Sequence, residues 1–436
     1  MRENFSNKWT FVLACIGSAV GLANIWAFPY RVTQFGGGAF LLAYFLIAIL
    51  LGLVGVTGEI CLGRWGKTGA LGSFEKALSL KNKPLRKIGI IPVLGSYAIG
   101  IGYAVVLGWM LCYFVGTISG ELFKPQTDIA GFFGSIIGDF GSVKWHILAL
   151  VLTFVVAVFG VKKGIEATNK IMMPLFFLLF VLLALWVASL DGASKGYEYL
   201  FVPKWEFLAQ PQTWIAALGQ CFFSLSLAGS GTVVYGSYFG RSEDAFGAAV
   251  KITFFASITA ILASIVIIPA AFAFNLDLAS IKGPPLLFII LPEIFRTMPG
   301  GLVFGTLFFI AVLFAAITSI INLFETPIES LQNTFKFSRL SASLVVIVLA
   351  ALIGVWIENA NYVGLWMDLV SIYAIPLGAL ISAVVFFWIL GKSVVLDEVN
   401  LGRDKPLASW FYLAGKWVFV PLVALVLVLG IALGGI

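Results

Sequence analysis

Charge is scarce in this chain. Its 436 residues include only 27 Lys and Arg and 21 Asp and Glu, together 11%, where soluble domains carry about 25%. That leaves no stretch able to build a water-facing surface of domain size, and so no second, soluble domain. Histidine is nearly absent: His146 stands alone, which excludes a histidine-built metal centre. There is no HExxH, no P-loop, no GxSxG and no convergent set of Cys and His, so nothing points to an enzyme. The four cysteines (Cys15, Cys61, Cys112 and Cys221) all lie in apolar stretches, without ligand spacing or an exposed partner. They read as small buried hydrophobes. The net charge of +6 is no nucleic-acid footprint, because the basic residues follow membrane topology.

Apolar residues fill what charge leaves, at 61% of the chain, with 40 Phe and 13 Trp. A helix needs about 20 apolar residues to cross the hydrocarbon core. Such stretches recur at about 9–32, 38–64, 88–118, 145–161, 166–190, 212–239, 244–274, 300–335, 340–357, 363–391 and 410–434, about eleven spans in all. The first is read as a span, not a cleaved signal peptide. With the N-terminus cytoplasmic, most Lys and Arg fall in inside loops, as positive-inside topology requires. An odd number of spans then puts the C-terminus outside. The chain is expected to be an all-α polytopic membrane protein, a single domain over 1–436, with the lipid bilayer as its surroundings and no nucleic acid as partner. Monomer and dimer stay open. The 275–299 loop, with Gly283-Pro284-Pro285, Pro292 and Pro299, is predicted to form a re-entrant or capping hairpin on the outer face.

Two spans resist a continuous helix. In the first, Gly17, Gly21 and Asn24 precede Phe28-Pro29 and Gly36-Gly37-Gly38; in the sixth, Ser224 to Gly231 reads SLSLAGSG. Glycine costs about 1 kcal/mol against alanine inside a helix, and serine competes for backbone hydrogen bonds. Unwound backbone survives in a bilayer only where protein or a polar cavity satisfies it. Paired interruptions five spans apart are the signature of an inverted-repeat transporter with a midplane site. A channel would instead show a continuous polar stripe, which the spans lack.

The run Gly17-Ser18-Ala19-Val20-Gly21-Leu22-Ala23-Asn24-Ile25-Trp26-Ala27-Phe28-Pro29-Tyr30 resembles the first-helix signature of the neurotransmitter:sodium symporters. Gly36 to Phe40, Glu59 to Arg64, Trp214 to Gln220, Tyr235 to Tyr238 and Ala315 to Ser319 resemble that family too. The likeness spans nearly the whole chain. It implies a LeuT-like fold in a bacterial inner membrane: repeat one over about 9–190, repeat two over about 212–391 with helices 1 and 6 discontinuous, and an extra helix at about 410–434. It also implies alternating access, with Na⁺ coupled to uptake of amino acids or related amines.

Carried over residue by residue, the resemblance implies a second sodium site at Gly17, Val20, Ala315, Thr318 and Ser319, all oxygen donors suited to a hard cation. The first sodium site keeps Ala19, Asn24 and Ser224 but lacks its seventh-helix asparagine, which reads as Ala256, or Phe255 if the register slips by one. That site is expected to be impaired. With Ala260 at the neighbouring position, chloride dependence is not expected. The outer-gate arginine reads as Ala27, facing Asp368 in the tenth span. The inner pair reads as Arg2 and Asn333. Glu59 and Glu325 brace polar networks, or carry a proton if coupling is to H⁺.

The resemblance places the substrate among Ala19, Ala23, Ile99, Tyr103, Val106, Phe223, Ser226, Gly229, Ile320 and Leu323, with Asn322 one neutral contact. Ala23 stands for a glycine that approaches the substrate carboxylate, and Gly229 for a bulky side chain. The first crowds a carboxylate and the second makes room for a flat ring. Two readings follow. One is a carrier of a small aromatic solute of indole type, with weakened sodium coupling. The other is a sodium-coupled symporter of large hydrophobic or aromatic amino acids such as tryptophan.

Overall fold

A computed structural model describes residues 3–82, 87–274 and 284–435, so Arg2 and the 275–283 part of the proline-rich loop lie outside the described residues. Among these residues the fold is helical, with one isolated bridge between Gly37 and Pro203. Long apolar helices run over Gly38–Gly66, Ile90–Ile118, Val161–Ala188, Ala245–Ala273, Gly301–Phe335, Arg339–Trp356, Ala360–Val399 and Trp410–Leu433. The shorter Val143–Val158 stands at the place of the fourth span. The first and sixth spans are each made of two helices.

The first begins at an Asn7 capping box, in which the side chain accepts from Thr10 N at 3.0 Å and the backbone N–H donates to Thr10 Oγ1 at 3.3 Å. Lys8–Ala19 and Ala23–Gln34 meet at 60°. The sixth is Pro211–Ser224 followed by Gly231–Ser237, and the backbone between them turns left-handed at Ser226 (φ 54°) and Gly229 (φ 68°). Both breaks find protein partners, as hydrocarbon demands. Ser319 Oγ lies 3.0 Å from Gly17 O and 3.3 Å from both Ser18 O and Val20 O. Glu59 accepts from Gly229 N at 2.7 Å, and Asn322 donates to Gly231 O at 3.3 Å.

The eighth span, Gly301–Phe335, is the central post, buried over most of its length against the first, third and fifth. The fifth and eleventh spans turn most of their surface outward. Leu185, Ile171 and Val428 are exposed there, an apolar face that only lipid suits. Trp9, Trp205 and Trp417 are exposed near span ends, where indole rings anchor at membrane interfaces.

The end bearing the N-terminus is knitted by ion pairs. Arg64 meets Glu398 at 2.6 Å, Arg403 meets Asp244 at 2.8 Å, and Arg339 meets Glu325 at 2.6 Å. At the opposite end the helical segment Leu286–Thr297 buries one apolar face, with Phe288 stacked on Phe133 at 5.2 Å. It forms the described part of the expected capping hairpin.

Candidate functional site

Between the two breaks lies a cavity of about 610 Å³, within the 300–1,000 Å³ typical of ligand sites. Ala19, Ala23, Ile99, Tyr103, Val106, Phe223, Ser226 and Leu323 line it. Phe223 is 40% exposed among buried neighbours, so its ring stands in the opening. The floor is polar. Tyr103 Oη accepts from Leu22 N at 3.1 Å and stands beside Ser319, and Ser18 Oγ lies 3.2 Å from Ser226 Oγ. From there the cavity rises past Ala27 to Asp368 and to Pro284-Pro285. Arg31, one turn beyond Ala27 on the same helix face, also lines it and donates to Ala216 O at 2.9 Å. The outer end therefore holds a cation despite Ala27.

Three predicted contacts lie off the lining. Ile320 is fully buried in the eighth span. Asn322 points at the sixth-span break, where it donates to Gly231 O. Gly229 is displaced by the path of the backbone. At φ 68° its missing Cβ would sit 2.2 Å from Gly378 O and 3.0 Å from Ser382 Cβ, in the tenth span. The room expected for a ring at Gly229 is absent, because the left-handed turn aims that position away from the cavity.

The two groups of candidate ion ligands differ. Thr318 Oγ1 lies within 3.1 Å of Gly17 O, Phe314 O and Ala315 O, and Ser319 Oγ reaches Gly17 O and Val20 O. All five residues predicted for the second site converge. Two hydroxyl protons cannot serve so many acceptors, and the oxygen surplus suits a cation. At the first site the groups satisfy one another. Asn24 Nδ2 donates to Ala19 O at 2.9 Å, Ser224 Oγ donates to Asn24 Oδ1, and Gln220 Nε2 donates to Ser224 Oγ at 3.1 Å. Ala256 is buried and adds no oxygen. The buried Tyr44 hydroxyl faces Ser224 and Ser257 without a well-formed bond to either. Ser257, one residue past Ala256, is a polar group the motif comparison passed over.

Of the acidic candidates, Glu325 is committed. Its oxygens take Arg339 at 2.7 and 2.6 Å, and Oε1 also takes the Tyr238 hydroxyl at 2.7 Å. Glu59 uses one oxygen on Gly229 N and leaves Oε2 without a partner. Asn333 donates to Glu329 and, at 3.0 Å, to Thr68 Oγ1, at the edge of a second cavity of about 480 Å³ on the Arg339 side. Glu329, a buried carboxylate the sequence did not single out, also accepts from Gly69 N at 2.7 Å. His146 is wholly buried and paired with Glu358 at 3.2 Å.

This arrangement has close counterparts. The profile of the Sodium:neurotransmitter symporter family matches residues 2–128 and 128–433. YhdH of Bacillus subtilis (strain 168), an uncharacterised sodium-dependent transporter, is 34% identical over 426 residues, spanning 94% of this chain and 93% of its own. An uncharacterised sodium-dependent transporter of Methanocaldococcus jannaschii is 30% identical over 441 residues, spanning 95% and 87%. The crystal structure of MhsT in complex with L-phenylalanine superposes with a TM-score of 0.88 at 34% identity, covering 98% of this chain and 99% of that one. Family profile, whole-chain identity and superposition agree: the chain belongs to the sodium:neurotransmitter symporter family and is a polytopic membrane transporter of the LeuT fold.

Proposed function

We propose that this protein is a sodium-coupled symporter of amino acids with large apolar or aromatic side chains. The observation that carries the reading is the juxtaposition at the cavity floor. Tyr103 Oη stands at Leu22 N and beside Ser319, and Ser319 lines both the cavity and the oxygen cluster of Gly17, Val20 and Thr318. A carboxylate fits the hydroxyl and Na⁺ fits the oxygens. Ordering the unwound first-helix segment for one ligand lowers the cost of ordering it for the other. The walls above, from Ile99, Val106, Phe223 and Leu323, suit an apolar side chain. Sodium dependence of the relatives and L-phenylalanine in MhsT support the same reading.

Transport follows by alternating access. Binding at the floor draws Phe223 over the solute and brings Arg31 towards Asp368, while the cavity on the Arg339 side opens in the other state. The N-terminus is assigned to the cytoplasm of a bacterial cell, as the basic loops require.

A second reading keeps a specific observation. Ala23, which stands where the family has a glycine that approaches the substrate carboxylate, adds a methyl group to the cavity lining, and Ala256 removes an oxygen from the first sodium site. Both changes favour a solute without a carboxylate, of indole type, with weakened sodium coupling. The pocket loses one argument for that reading with Gly229 turned away. Uptake of tryptophan and of indole into proteoliposomes, in sodium and in choline, separates the two. Sodium-driven tryptophan uptake supports the symporter, whereas indole uptake indifferent to sodium supports the second reading. Proton coupling through Glu59 belongs with that second reading.

A further inference from the structure

A sixth oxygen stands beside the Thr318–Ser319 cluster, on the fifth span. Asn169 is fully buried, and its Nδ2 donates to Ile165 O at 2.8 Å, which fixes the amide's orientation. Its Oδ1 has no partner. Asn169 belongs to the narrow inward strip of a helix that otherwise faces outward, with Met173, Phe176 and Phe180 continuing that strip. The strip packs on the first span at Gly17. A Cβ built on Gly17 would meet Asn169 Oδ1 at 2.0 Å and Thr318 Cβ at 2.9 Å. The amide oxygen and Thr318 thus flank one spot on the first helix, and only a glycine there lets both approach.

A buried acceptor with no donor is rare and calls for an occupant. The contacts of Oδ1 at Gly17 and Thr318 are to carbon and no donor among the described residues reaches it, while the residues it touches are the ones whose oxygens suit a cation. We infer that Asn169 is an auxiliary sodium ligand, offering Oδ1 to the ion from the fifth span, beside Gly17 and Thr318. The inference rests on the reading of the Thr318–Ser319 cluster as a sodium site. A neutral amide oxygen suits a hard cation, and an additional ligand favours Na⁺ over the smaller Li⁺, since ligand number and cavity size set such selectivity.

The test is equilibrium binding of radioactive sodium to the purified protein, independent of any organic solute. Asn169→Ala and the near-isosteric Asn169→Leu are expected to raise half-saturating sodium about tenfold, the low end of what losing a supporting group at a metal site costs. Asn169→Asp is expected to retain or tighten binding. Lithium should compete better in the Ala and Leu variants than in the wild type. Wild-type sodium affinity in both folded variants would overturn the inference and reduce Asn169 to packing. Sodium binding that disappears in Thr318→Val but ignores every Asn169 change would overturn it while leaving the cluster as the sodium site. A wild-type protein that binds no sodium would overturn both.

Discussion

Replacing Gly229 by alanine puts a methyl group where the backbone of the tenth span already stands. The strain has two parts. An L-residue held in the left-handed region, here φ 68°, costs about 1–2 kcal/mol. The new Cβ would lie 2.2 Å from Gly378 O, so two packed backbones must part by about 1 Å, and overpacking of that kind costs about 1–3 kcal/mol. The sum, about 2–5 kcal/mol, shifts the working conformation by about 25-fold or more at about 1.4 kcal/mol per decade. The same displacement moves the Gly229 N–H off Glu59. Because the strain lies between the sixth and tenth spans and outside the cavity, all substrates suffer alike. Uptake of alanine, leucine, phenylalanine and tryptophan should fall together, and Gly229→Phe should be worse for all four. A Gly229→Phe protein that still takes up alanine while excluding tryptophan would refute the reasoning, because it would place the side chain in the cavity.

Three further outcomes are expected. Thr318→Val, which removes an oxygen but little volume, should raise the half-saturating sodium concentration of uptake by at least about tenfold; measured in proteoliposomes, an unchanged value would contradict the sodium site. Glu325→Gln leaves the Arg339 guanidinium facing a neutral amide. Breaking a buried pair costs about 3–5 kcal/mol, and the 19% exposure of Arg339 reduces this to about 2–3 kcal/mol by solvent screening, so thermal stability should drop while the pH profile of uptake stays as in the wild type. His146→Ala strands Glu358 in a fully buried position and should lower thermal stability on a similar scale, about 3 kcal/mol, with the sodium dependence of uptake unchanged.

The fold was legible because bilayer thickness sets helix length, and because Gly and Ser runs in two spans break it. The oxygen cluster was legible for a related reason: carbonyls of Gly17 and Val20 bind whatever the side chain, and Thr318 and Ser319 sit consecutively on one helix. Gly229 was misplaced because an unwound segment has no period from which to read a direction, whereas Asn322 lies on the continuous eighth helix and turns to the Gly231 carbonyl of the facing break. Two left-handed residues, Ser226 and Gly229, decide where that segment faces. Arg31 was missed for the opposite reason, since the family motif drew attention to Ala27 although the two share a helix face at i and i+4. Asn169 carried a signal of its own, a polar group at a span position with no apolar task, and Glu358 is an acid in the short connection after the Arg339–Trp356 helix. Their partners, Gly17 and His146, lie more than a hundred residues away in sequence, and no local pattern joins them.

The central claim is that the Tyr103 hydroxyl at Leu22 and the adjoining oxygen cluster make one coupled site for a carboxylate-bearing aromatic and Na⁺. The most direct measurement is equilibrium binding of tryptophan and of indole to the purified protein, each titrated in sodium and in choline. The account predicts tryptophan affinity that rises with sodium and weak indole binding that ignores it. Indole binding stronger than tryptophan binding, and equal in sodium and choline, would contradict it.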